Sequence, residues 1–269
     1  MPSLPRRGVL GALVRADYLT ARSYRLSLAF GILIGLVNLS VYYFVARSFV
    51  PADVSQLQGA PDYFAYAAVG VVLTVVLQGT SVSLARRIRE EQLTGTFELL
   101  AAQPVTSAEL ALGLVGWPFL YAALRAAIYL LAGTAVLGLD LGAADWPGFV
   151  LVISASAFAL TSVGIFFGGL VVVFKRGEPL VAFITFAAGF LGGGFFPLEA
   201  LPGWLRALSD VVPTTAAFRG VRGALFKGSG WGGPALELLA FGAVALPVAV
   251  LVFDRALAYT RSRGTLSEF

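Results

Sequence analysis

The densest chemistry in this chain lies in residues 86–105, RRIREEQLTGTFELLAAQPV. Arg86, Arg87 and Arg89 lead into Glu90, Glu91 and Glu98, with a Gly95–Thr96 break between them and a stop at Pro104. Charges this dense in so apolar a chain belong in water. They hold no nucleophile with a base and no metal-ligand set, so what they offer is recognition, a docking element for a soluble partner. The chain has no Cys and no His, which removes disulfides, thiolate nucleophiles, His metal sites and His general bases together. The remaining carboxylates and lysines do not cluster at one depth, so a membrane enzyme lacks its catalytic pair. One further charge stands apart: Arg125, alone inside a long apolar run. Insertion scales put the cost of such a residue at about 2.5–3.5 kcal/mol, so it must face the helix bundle or a wet cavity. Either it contacts an anionic or polar substrate group, or it bonds carbonyls or a polar neighbour such as Asn38 or Gln78, or a shifted register of the 30-residue run sets it shallower.

The elements that must position these residues are membrane helices. The chain of 269 residues is 58% hydrophobic and 13% charged, with mean hydropathy +0.84. A soluble domain carries about 25% charge; this one is an integral membrane protein. Apolar runs at 26–46, 63–85, 110–139, 146–174, 179–198 and 234–253 predict six spans, each reaching the roughly 20 residues a crossing needs. Their length excludes the alternating, roughly 10-residue strands of a membrane barrel. The first 25 residues lack a signal-peptide pattern. The net charge of +4 flanks spans and gives no nucleic-acid signal. Arginines before span one, after spans two and six, and Lys175–Arg176 after span four contrast with Asp53, Asp62, Asp140 and Asp145 in the opposite loops. The positive-inside rule then places both termini and the 86–106 loop in the cytoplasm, although Arg206, Arg219, Arg222 and Lys227 run against the trend.

Two segments are expected along the membrane rather than across it. Residues 8–24 form an amphipathic interfacial helix with a Leu10, Val14, Tyr18, Ala21 stripe, leaving Arg15, Asp17 and Arg22 polar. Residues 199–228, broken by Pro202 and Pro213, read as two short amphipathic helices, about 202–210 and 214–227, pressed into the outer leaflet. Just upstream, Gly189 and Gly192–Gly194 disturb the end of span five and Pro197 ends it.

These residues carry a resemblance. The run GTFELLAAQPV at 95–105, preceded by Arg89-Glu90-Glu91, resembles the cytoplasmic loop of type-2 ATP-binding-cassette exporter permeases, the ABC-2 membrane family. A second match, FFPLEALPGWLRALS at 195–209 followed by Pro213 and an Arg-containing helix, is similar to that family's signature between spans five and six. The order of the two motifs covers nearly the whole chain. Departures occur at Gly113–Leu114, where the family often has Gly-Lys, and at Val212–Pro213, where it often has Asn-Pro.

The resemblance implies a half-transporter: an all-α, single transmembrane domain that pairs with a second permease copy or a homologous permease. Two cytoplasmic ATPase subunits would bind below, in a prokaryotic cytoplasmic (inner) membrane. ATP and magnesium belong to that partner, since no GxxxxGK[ST] loop occurs here. Arg89, Glu90, Glu91, Gly95, Thr96, Glu98, Leu99, Leu100 and Pro104 would couple to it. In that picture Thr96 caps a short helix, Glu98 sits in its favourable first turn, and Leu99 and Leu100 enter a cleft on the ATPase. Arg125, Phe195, Phe196, Pro197 and Trp204 are pathway candidates. Neither a filter-like ring for a channel nor mid-membrane carboxylates for a secondary transporter are visible. An aromatic-rich path (Phe158, Phe166, Phe167, Phe183, Phe186, Phe190) suits a lipophilic or amphipathic drug, antibiotic or lipid; a lipid-linked polysaccharide is the alternative cargo.

Overall fold

A computed structural model describes residues 7–48, 57–96, 99, 106–174 and 177–263. Every regular element among them is helical. Helix α1 is Arg7–Ser23 and α2 is Arg25–Ser48. Helix α3 runs Tyr63–Leu93, with a π turn at Gln78–Val82. Helices α4 (Ser107–Leu137), α5 (Trp146–Phe174) and α6 (Glu178–Leu191) follow. Two short helices, α7 (Gly203–Ser209) and α8 (Pro213–Arg222), precede the long α9 (Gly232–Arg263).

Five of these helices, α2, α3, α4, α5 and α9, are long and apolar enough to cross a membrane. The run expected as span five is shorter than its charge-free length. The apolar helix ends at Leu191, and the chain then turns through Gly192–Gly194 with Gly193 at φ +76°. That backbone value suits glycine and stops the helix there. Two other boundaries move outward. Helix α3 does not end at residue 85 but continues to Leu93, so Arg86–Gln92 are helical and the connecting loop begins at Thr94. Helix α9 extends to Arg263, well past the apolar run. Local signals set the other ends: Asp62 caps α3 by accepting from Ala65 N at 2.7 Å, and Thr106 and Glu109 form a reciprocal capping box on α4.

Small residues let the helices approach closely, as membrane packing requires. Gly164 of α5 lies against the π turn of α3: an added Cβ would stand 2.6 Å from Thr80 O and 3.0 Å from Ser81 Cα. Gly169 of α5 meets the Phe253 backbone of α9 in the same way, at 3.2 Å. One buried cluster gathers around Tyr66, Leu73, Leu77, Tyr129 and Phe218, and a second around Leu84, Ile88, Leu114, Ile165 and Phe253.

The flanking helices depart from the amphipathic expectation. In α1 the partly covered residues are Leu13, Val14, Asp17 and Ala21; Leu13 and Val14 meet Gly113 and Gly116 of α4. Asp17, expected in water, is on the packed face because Arg87 of α3 awaits it there at 2.8 Å. Helix α8 does not lie on the surface: Thr214–Phe218 and Gly220–Arg222 are buried against α3, α5 and α9. Helix α7 keeps an open apolar side, with Trp204 69% and Leu208 50% exposed.

Candidate functional site: a cavity with a pinned end

A cavity of 650 Å³ opens between α1, α2, α3, α4 and α6. At one end it reaches the charged tips of α1 and α3, where Asp17, Arg86, Arg87 and Glu90 line it. There Arg87 binds Asp17 at 2.8 Å, Glu91 at 3.0 Å and Glu90 at 3.7 Å, tying α1 to the end of α3. Burial pushes the Asp17 carboxyl above its ordinary value, with the Arg87 charge pulling the other way. Glu91 also accepts from the Thr96 hydroxyl, and its carbonyl accepts from Thr96 N at 3.0 Å. Thr96 therefore bonds back toward α3.

Further in, the wall is the π turn of α3, which brings Gln78 and Gly79 to the cavity opposite Pro118 and Ala122 of α4. Such turns often mark functional positions, because one extra residue re-aims the side chains around it. This one is held by polar bonds: Ser81 donates to Leu160 O of α5 at 3.1 Å, and Ser83 to Gly79 O at 2.6 Å. Arg125 lines the cavity. Its Nε donates to the Tyr129 hydroxyl at 3.0 Å, and its guanidinium lies 5.6 Å from the ring centres of Tyr121 and Tyr129. Both tyrosines spend their own protons on α2: Tyr121 on Leu28 O at 2.6 Å, Tyr129 on Gly31 O at 3.2 Å. Neither Asn38 nor Gln78 is the partner.

The far end is closed by the turn after α6, with Phe195 on the cavity wall. Its carbonyls, with Ala188 O just before it, are pinned from two helices, α3 and α8. Tyr66 of α3 donates to Gly193 O at 2.6 Å and Phe196 O at 2.8 Å. Tyr63 donates to Phe195 O at 2.9 Å. Thr214 of α8 reaches Ala188 O at 2.5 Å. Arg222 of α8, wholly buried, donates to Gly194 O at 3.0 Å, Tyr66 O at 3.2 Å and Gln58 Oε1 at 3.0 Å. Its guanidinium stacks 3.5 Å from the Tyr66 ring centre. Helix α8 lies outside the spanning helices; burial there pulls the Arg222 guanidinium down to about 10, so it stays charged at neutral pH.

Of the pathway candidates, the cavity brings together Arg125 and Phe195. Phe196 packs edge-on to Phe190, 4.2 Å between ring centres, Pro197 is buried behind the turn, and Trp204 points away on α7. Phe186, from the aromatic set, also lines the wall. Among the coupling candidates, Arg89, Glu90 and Glu91 are on α3, Gly95 and Thr96 follow it, and Leu99 is 67% exposed. Glu98, Leu100 and Pro104 lie outside the described residues.

The family model for ABC-2 type transporters matches residues 9–226, from α1 to the π turn that follows α8. This chain belongs to the ABC-2 type transporter family. Curated relatives include the inner membrane transport permease YhhJ of Escherichia coli (strain K12) and its namesake in Shigella flexneri. Each is 28% identical over 193 residues, covering 69% of this chain and 49% of the relative. The chain thus spans about half the length of the curated relatives it matches. It is an ABC-2 family chain with, among the described residues, five helices long and apolar enough to cross a membrane. Of the two motifs that carry the resemblance, Gly95 and Thr96 follow the charged tip of α3, and 195–209 begins at the pinned turn. The Tyr66–Arg222 pair that holds that turn was not singled out in the sequence. Its signal is the wide apolar side formed by Ala217, Phe218, Val221, Ala224 and Leu225, which directs that side of the helix into the core and leaves Arg219 exposed.

Proposed function

We propose that this chain is the membrane-spanning subunit of an ATP-binding-cassette exporter for a lipophilic or amphipathic compound, a drug, antibiotic or lipid. The observation that carries this reading is the cavity: it runs from the arginine-rich tips of α1 and α3 to the pinned 193–196 turn. With the arginine-rich end in the cytoplasm, that is a vessel filled from the cytoplasm or inner leaflet and released outward. Its size suits a small ligand, since such sites occupy roughly 300–1,000 Å³.

In this reading α6 and the turn after it complete a sixth crossing, both termini are cytoplasmic, α1 lies at the inner interface, and α7 rests in the outer leaflet. Two copies, or this chain and a homologous permease, pair across the membrane, and two cytoplasmic ATPase subunits bind the segment at 86–106. The Arg87 network gives the push a route. A force on Thr94–Thr96 would pass through Glu91 and Arg87 to Asp17 and α1, and along α3 to the π turn on the cavity wall. The test is ATP turnover by the reconstituted permease–ATPase complex across lipids, drugs and lipid-linked glycans. Stimulation by amphipaths supports the reading; stimulation by glycan lipids alone replaces the cargo.

A further inference from the structure

The cavity holds an arginine, Arg125, that no carboxylate of the described residues pairs. Arg125 stands twelve residues before the end of α4, about 18 Å along the axis at 1.5 Å per residue. That places it near the middle of a hydrocarbon layer about 30 Å thick. Its Nε is engaged by Tyr129. The terminal nitrogens, four N–H donors in a planar fork, make no hydrogen bond or ion pair among the described residues. The cavity's carboxylates do not serve it, because Asp17 and Glu90 both pair with Arg87 at the other end. The contrast with Arg222 is instructive. That guanidinium is sealed and spends its terminal nitrogens on three oxygens, whereas Arg125 is half-buried and fronts open space. Around it the wall is amphipathic. Gln78 adds an exposed amide, and the Thr74 hydroxyl has no hydrogen-bond partner. Leu77, Phe186 and Phe195 supply apolar surface alongside.

From this we infer that the cavity selects amphipathic anions, with a carboxylate or phosphate head on the free fork of Arg125 and an apolar body against Phe186 and Phe195. The inference rests on the cavity being the substrate path and deepens that reading by naming the head group. A guanidinium fork matches a two-oxygen anion in geometry as well as charge, and at this depth the attraction is little screened. Tyr121 and Tyr129 hold the guanidinium in place, so an arriving anion need not order it.

Trp117 lines the same cavity and serves as the reporter. The intact chain in nanodiscs of zwitterionic lipid is titrated with dibromostearate, with the matching brominated alcohol and with the brominated amine. Quenching of Trp117 is isolated by subtracting a Trp117→Phe chain. The acid should bind about tenfold or more tightly than the alcohol, the ratio a charge-assisted bond gives, and the amine should bind more weakly than either. Arg125→Gln should bring the acid-to-alcohol ratio near one, and Arg125→Lys, which keeps the charge but not the fork, should retain only part of it. Because each ratio is internal to one protein, a general loss of quality in a variant does not imitate the effect. Acetate or inorganic phosphate alone should not displace the acid; displacement by either would mean a free-anion site and overturn the amphipathic claim. Equal affinity for acid and alcohol in the wild type, or a ratio unchanged in Arg125→Gln, would overturn the anion preference while leaving the cavity a substrate path. No quenching of Trp117 by any of the three would overturn the path itself.

Discussion

Arg222 is the test of how the cavity is capped. It is wholly buried, binds three oxygens and stacks on Tyr66. Arg222→Met keeps roughly the volume but removes every donor. Gly194 O loses the bond that pins it, and a buried acceptor left unsatisfied costs about 1–3 kcal/mol. Loss of a desolvated cation–π contact adds up to about 2 kcal/mol. Relief from burying a charge offsets part of this, so the net destabilisation is about 2–4 kcal/mol. For a chain of this size that is a fall of roughly 5–15 °C in apparent melting temperature. Arg222→Lys should fall in between, because one ammonium cannot span acceptors on Gln58, Tyr66 and Gly194. The assay is thermal unfolding of the purified protein together with hydrogen exchange at Gly193–Phe196, where protection should drop first. If Arg222→Met melts within a degree of wild type and the turn stays protected, the pinning argument is wrong.

Three other outcomes follow from the packing and the charges. Gly164→Ala drives a Cβ into Thr80 O and Ser81 Cα, both backbone, and should cost about 1–3 kcal/mol. Gly203→Ala, with nothing within 4 Å, should change melting by little, and equal effects of the two would refute close packing at the π turn. Asp17 has a raised carboxyl pKa because burial outweighs Arg87. Its favourable contribution is therefore complete below the ordinary value of 3.8 and is lost as pH rises through the raised one. Asp17→Asn should then leave melting at pH 7 unchanged or higher and flatten the acid side of the pH profile, since Arg87 keeps Glu91; a clear loss at pH 7 would mean that the ion pair dominates. Tyr66→Phe removes the hydroxyl that holds Gly193 O and Phe196 O but keeps the ring under Arg222. It should cost about 1–3 kcal/mol, and its effect should not add to that of Arg222→Met if the two act on one turn.

The spanning helices were legible because charge-free length is a strong signal. Helix α5 covers Trp146–Phe174, the same residues as its apolar run. Ends set by charge were less legible. Arg86–Gln92 read as loop because they are polar, but their charges pair within the helix and with Asp17, so α3 runs on. The glycine turn after α6 was readable from Gly192–Gly194 and Pro197. What held it was not, because its partners come from residues 63, 66, 214 and 222, far apart in the chain. Arg222 illustrates the difficulty: in a positive-inside count it is one more loop charge, while in the fold it is a core residue. The converse holds for Arg125, whose isolation in the sequence left open the bundle interior or a wet cavity and which lines the cavity in the fold.

The central claim is that this chain works through a separate ATPase held at 86–106, and co-purification tests it most directly. The wild-type chain is captured with an ATP-binding-cassette ATPase of the same organism, alongside Glu98→Ala combined with Leu100→Ser, and Glu237→Ala as control. Glu237 sits at the opposite end, in an exposed pair with Arg219 at 2.6 Å, and such pairs contribute about 0–1 kcal/mol. A desolvated carboxylate lost from an interface costs roughly 2–5 kcal/mol. The account predicts a stable wild-type complex with ATP turnover, the same from Glu237→Ala, and weakened capture or uncoupled hydrolysis from the double variant in an otherwise folded, membrane-inserted chain. Normal capture and transport by the double variant, or transport by the chain with no ATPase present, would contradict it.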